Sequence, residues 1–136
     1  MNELEKNQEL LNKAMRLREQ SEEIERQLDF ISEQISDLQN FHSSLELLKQ
    51  ENEKEMLAHI GRRTYLKVSL LEKDKLFVEV GSGIVVRKTL EEAIKDVEKQ
   101  LKKFQEAKAH LALQLKGYAD EFRKLLQEVE NIKSYS

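Results

Sequence analysis

The sequence predicts a mainly α chain with a small β insert, an antiparallel two-helix coiled coil joined by two β-hairpins. Three observations carry that prediction. Apolar residues recur at alternating steps of four and three from Leu10 to Leu45, and again from Leu90 to Ile132. Between those runs the period shortens to two, and three of the four glycines fall there. Ala, Glu, Lys, Leu and Arg supply 72 of the 136 residues, the composition of long helices wound on one another.

The N-terminal coiled-coil helix is expected over residues 1–52, its helical part running from about Asn2 to about Glu51. Its seam reads Leu10, Ala14, Leu17, Ser21, Ile24, Leu28, Ile31, Ile35, Leu38, His42, Leu45, apolar except at Ser21 and His42. A strict seven-residue repeat winds two helices left-handedly around each other.

A β-hairpin assembly region is expected over residues 53–88. Glu55–Ile60 is a weak first strand, turned by Gly61-Arg62-Arg63. Thr64–Leu71 is a better one, with Leu66, Val68 and Leu70 on one face beside Tyr65. After Glu72-Lys73-Asp74-Lys75, a third strand places Leu76, Val78 and Val80 on one face. Gly81-Ser82-Gly83 turns into a fourth, which carries Ile84 and Val86. Glycine suits turns that demand positive φ. Four short strands leave faces and edges unburied, so they invite pairing with other chains. Closing strands from several chains into a β-barrel hub removes the edges. The insert therefore reads as the assembly element, with the helices reaching outward.

The C-terminal coiled-coil helix is expected over residues 89–136, in one structural unit with the rest. Thr89-Leu90-Glu91-Glu92 fits a capping box. Its seam reads Leu90, Ile94, Val97, Leu101, Phe104, Lys108, Leu111, Leu115, Tyr118, Phe122, Leu125, Val129, Ile132. Lys108, the polar exception, either sets register or snorkels its charge to water. Folding back near residues 69–70 makes positions whose numbers sum to about 139 face each other, which sets small Ser21 against large Tyr118. Gly117 beside the seam either allows a close approach or marks a soft spot.

Composition and charge narrow the function classes. Twenty-three basic and 26 acidic residues are interleaved, giving a net charge of −3 and no basic stripe for nucleic acid. There is no cysteine, which removes thiol catalysis and cysteine-ligated zinc and fits a reducing, cytoplasmic setting. No apolar run is long enough to span a membrane. Abundant Lys and Glu without Pro or Cys point toward a thermophilic source. No Gly-Lys-Ser/Thr or dinucleotide fingerprint is present, so no cofactor is expected. His42 reads as a polar break in the seam rather than a metal ligand, His59 as pointing to solvent or a strand neighbour, and His110 as a solvated side chain beside the seam. No catalytic or metal residue is assigned, and the chain is read as not an enzyme.

The segment Val78-Glu79-Val80-Gly81-Ser82-Gly83, followed by Lys88-Thr89 and Glu92-Ala93, resembles the α-class subunits of the archaeal prefoldin family. Ala58-His59-Ile60-Gly61 stands where that family often has a proline before the glycine, and Arg62-Arg63 where it has small or glycine-rich residues. The resemblance implies an ATP-independent holding chaperone built of two α-like and four β-like chains. Such a hexamer grips non-native client proteins at its coiled-coil tips and passes them to a group II chaperonin. On this chain the tips offer Leu4, Leu10, Leu11, Val129, Ile132 and Tyr135, where seam residues lack neighbours on one side. The plain alternative for those residues is an ordinary seam running to the helix end. A structural filament or spacer built through the same hairpins is the competing function. A helical arm that binds RNA is disfavoured, since acidic residues match the basic ones along both helices.

Overall fold

The computed structural model describes residues 2–50, 55–72 and 74–134. The order is α1 (Glu3–Gln50), β1 (Glu55–Gly61), β2 (Thr64–Ser69), β3 (Leu76–Gly81), β4 (Ile84–Lys88) and α2 (Leu90–Ser134). The expected helix end at Glu51, the boundary between residues 52 and 53, and Lys73 and Tyr135 lie outside the described residues. Contacts divide the chain into two compact units: Met1–Ile35 with Lys103–Ser136, and Ser36–Lys102.

Both helices start on a side-chain cap. The Asn2 carboxamide oxygen accepts from the Glu5 amide at 2.8 Å, and Glu3 and Glu5 place negative charge at the positive end of α1. At α2 the Glu92 amide donates to Thr89 Oγ1 at 3.1 Å, and the Thr89 amide reaches Glu92 Oε1 at 3.5 Å. That is the reciprocal capping box its sequence announces.

In the unit built from the two outer helix segments, the heptad seam is the buried line. Leu17, Ile24, Ile35 and Leu111 are buried, and Leu10, Ala14, Ser21, Leu28 and Ile31 are half-buried between exposed flanks. Two seam residues, Phe122 and Lys108, differ from expectation in being exposed. Beside Lys108, Ala107 is half-buried. The methyl of Ala107 fills the seam there, and the lysine's charge stays in water, where its solvation is cheapest. Gly117 is exposed, and a Cβ added to it would meet nothing within 4 Å. Close approach is therefore not its purpose, and the soft-spot reading remains.

The Ser36–Lys102 unit holds the tightest packing. Leu45, Leu90, Ala93, Ile94 and Val97 form its core, with Leu45 only 2% exposed. Leu38, Leu48 and Leu101 pack on that core from the helices. The cluster holds both members of Leu38/Leu101 and of Leu45/Ile94, positions whose numbers sum to 139, in keeping with the register the seam predicts. On the flanks of the outer helix segments, Arg18–Glu22, Arg26–Glu23 and Arg123–Asp120 are ion pairs along a single helix. They are exposed, so they keep the flanks soluble more than they hold the arms together.

Candidate functional site

The β region forms two separate antiparallel hairpins, β1–β2 and β3–β4. They share one backbone plan. Pairing runs regularly to His59↔Tyr65 in the first and Glu79↔Val85 in the second. It then slips by one residue, at Ile60 and at Val80, before closing on Gly61↔Thr64 and Gly81↔Ile84. The two central turn residues have positive φ in both: Arg62 (37°) and Arg63 (61°), Ser82 (52°) and Gly83 (74°). This is the primed turn whose twist matches a hairpin. Gly61 (140°) and Gly81 (122°) supply the bend before it, in a region that side chains rarely enter. β2 stops at Ser69, two residues short of the expected Leu71, because the described ladder begins at Glu55↔Ser69. Leu71 is left 94% exposed.

One face of each hairpin is the better covered. Val68, Leu70, Leu76 and Val78 are half-buried, as their period-two placement predicts. The other expected assembly residues stand in the open. Tyr65 is 58% exposed, Leu66 54%, Val80 57% and Ile84 60%, and Val86 and both glycines Gly81 and Gly83 are exposed as well. Sequence reasoning missed Leu57, Ile60, Phe77 and Val85, which are equally open. The signal was there: LFV and IVV are continuous apolar runs, the mark of strands covered on both faces. Among the described residues, each two-stranded sheet also leaves both outer edges of its ladder unpaired.

The second hairpin is tied to the helix it feeds. Leu76 packs on the core cluster, and Lys88 at the end of β4 pairs with Asp96 of α2, both side chains partly buried. Among the described residues that pack on that core, Leu76 is the one contributed by a strand.

At the free ends of the helices, Leu10, Leu11, Val129 and Ile132 line one groove of about 490 Å³. Ala14, Phe122, Leu125 and Leu126 complete its apolar wall. Leu4 does not line it but is 77% exposed in the first turn of α1. Phe122 and Leu126 are the capture candidates that sequence reasoning passed over. Leu126 sits next to a seam leucine, and such adjacent apolar pairs widen a seam into a surface.

The histidines fall on different elements. His42 is half-buried on the seam, and its Nε2 lies 3.1 Å from Glu98 Oε1. His59 packs obliquely against Tyr65, ring centroids 5.3 Å apart, and His110 is exposed.

Residues 17–134 match the family model described as "Prefoldin subunit". The chain belongs to the prefoldin family. A prefoldin subunit alpha from Pyrococcus horikoshii is 32% identical over 87% of this chain and 83% of its own length. Prefoldin subunit alpha 1 of Thermococcus kodakarensis is 30% identical over 71% of this chain and 67% of its own. Among solved structures, filamentous PFD from Methanocaldococcus jannaschii superposes with a TM-score of 0.72. It is 25% identical, and the match covers 86% of this chain and 98% of that one. Two long helices with two small hairpins between them are thus the prefoldin subunit fold.

Proposed function

We propose that this chain is the α-class subunit of an ATP-independent holding chaperone, assembled with β-class prefoldin subunits into an α2β4 hexamer. It captures non-native proteins at the free helix ends and delivers them to a group II chaperonin in the cytoplasm. The observation that carries this reading is the exposure of apolar side chains on both hairpins, which a soluble chain keeps only for a partner. Strands from neighbouring subunits would close the free edges into a barrel hub.

Capture rests on the groove of Leu10, Leu11, Val129 and Ile132, with exposed Leu4 as a further contact; Tyr135, the sixth expected capture residue, lies outside the described residues. Each large side chain a client covers contributes about 1–2 kcal/mol, less than full burial. One such end is weak, and several on a common hub gain avidity through effective concentration. Weak reversible contacts suit clients of varied sequence.

The test removes residues 1–11 and 129–136 and measures light scattering of an unfolding client without nucleotide. The truncated chain should still assemble with its partner subunit and should lose protection. Equal protection would sink the capture mechanism. A second reading is favoured by one observation: the relative from Methanocaldococcus jannaschii was solved as a filament. On that reading the hairpins pair chain after chain into a filament or spacer. Electron microscopy of this chain alone, and then with a β-class partner, separates closed particles from open polymers.

A further inference from the structure

We propose that His42, Glu46 and Glu98 form a binding site for a single borderline divalent cation, Zn²⁺, Co²⁺ or Ni²⁺, which clips α1 to α2 within the Ser36–Lys102 unit. Among the described residues, this is the group where three such ligands converge, one atom from each lying within 4.8 Å of the others. His42 Nε2 is 3.1 Å from Glu98 Oε1 and 3.9 Å from Glu46 Oε1. Ligand atoms at the corners of a zinc tetrahedron with bonds of ~2.05 Å stand about 3.3 Å apart. The observed separations bracket that value, so small rotations of two carboxylates complete three corners.

The sequence explains the preorganisation. His42 and Glu46 are four apart on α1 and share a face. The seam register brings Glu98 of α2 opposite, since 42 and 98 sum to 140. His42 occupies a position where the heptad calls for an apolar residue, and its side chain is half-buried there. Imidazole with two carboxylates suits this class of metal better than calcium or magnesium, which prefer all-oxygen shells. A groove of about 340 Å³ beside the site, walled by Glu46, Glu91 and Glu98 with Lys49 and Lys95, leaves room for water in the fourth position. The two lysines weaken attraction for the cation, and the three carboxylates outnumber them. Binding uses the Nε2 lone pair, with the ring proton on Nδ1.

The experiment titrates the full-length chain with Co²⁺ and Zn²⁺, reading the cobalt visible spectrum and the thermal midpoint. The wild type should give a cobalt–ligand band at one equivalent and a higher midpoint with zinc. His42→Leu restores an apolar seam, so it should fold at least as stably without metal and lose both responses. Glu98→Gln keeps a hydrogen-bond partner but loses the charged ligand. Its Kd should rise at least about 10-fold, the cost of losing even a supporting contact at a metal site. A wild-type cobalt spectrum identical to the hydrated ion would overturn the proposal. So would equal binding by His42→Leu, which would place the metal on other residues.

Discussion

The two hairpins follow the same backbone recipe with different residues. Each has a one-residue slip, a glycine in a glycine-favouring conformation and two positive-φ turn residues. Hairpin β3–β4 fills its turn with Ser82-Gly83, so only one side chain is held in the left-handed region. Hairpin β1–β2 fills the same turn with Arg62 and Arg63, both held there, each costing about 1–2 kcal/mol. The second hairpin is fastened to α2 through Leu76 and the Lys88–Asp96 pair. The first gains the His59–Tyr65 ring contact and the Lys67–Glu55 ion pair, both internal to itself. A lone two-stranded hairpin is marginal in water. The difference teaches that one hairpin is fastened to its own helix, whereas the other, among the described residues, is held by contacts internal to itself and carries the greater turn strain.

The largest effect should come from breaking the shared glycine. Gly81→Val forces a β-branched residue to φ near 122° and should remove about 2–3 kcal/mol of stability in urea unfolding. Gly61→Val imposes the same backbone cost at φ near 140°. Because hairpin β1–β2 is less coupled to the core, that variant should melt it locally and leave the global transition nearly unmoved. Amide hydrogen exchange resolves the two cases. Equal global losses from both variants would show that the hairpins are coupled alike.

Exchanging the turns tests the strain directly. Arg62→Asn with Arg63→Gly installs the pair most at ease in this turn and should stabilise β1–β2 by about 1–2 kcal/mol. The gain should appear as slower exchange of the β1 and β2 amides. Gly83→Arg, which makes the second turn resemble the first, should cost about 1 kcal/mol. A loss of similar size, about 1 kcal/mol, should follow Thr89→Ala, which strips the cap from α2 beside hairpin β3–β4. It should speed exchange at the start of α2 and spare hairpin β1–β2.

Much of this was legible before any coordinates. Heptads fix which residue of a long helix is covered, so the seam and its register could be read from letters alone. Thr89 and Glu92 announced a helix start because a capping box needs those two groups at that spacing. Lys108 was misplaced because a strict count of four and three ignores that a neighbouring alanine fits a seam with less desolvation. The hairpins' second apolar face went unread at Phe77 and Val85, since period-two reasoning assigns one face to water by default. The cross-helix meeting of His42 and Glu98 was not visible either. Glu98 lies on a flank, and only register plus side-chain reach brings it to the seam.

The smallest expected difference concerns the Lys67–Glu55 pair, which joins neighbouring strands of hairpin β1–β2 at 2.9 Å. Both side chains are more than half exposed, so solvent and salt screen the attraction. Lys67→Met keeps the aliphatic stem and removes the charge. It should cost about 0.5 kcal/mol or less, and that small cost should shrink further in high salt. The reason lies in the partition of forces within the hairpin. If turn strain and exposed apolar surface dominate it, a screened surface charge cannot decide its fate. A loss comparable to the gain from Arg62→Asn with Arg63→Gly, read by the same amide exchange, would mean that the ion pair holds the first hairpin together. The contrast between a fastened hairpin and a strained one would then have to be redrawn.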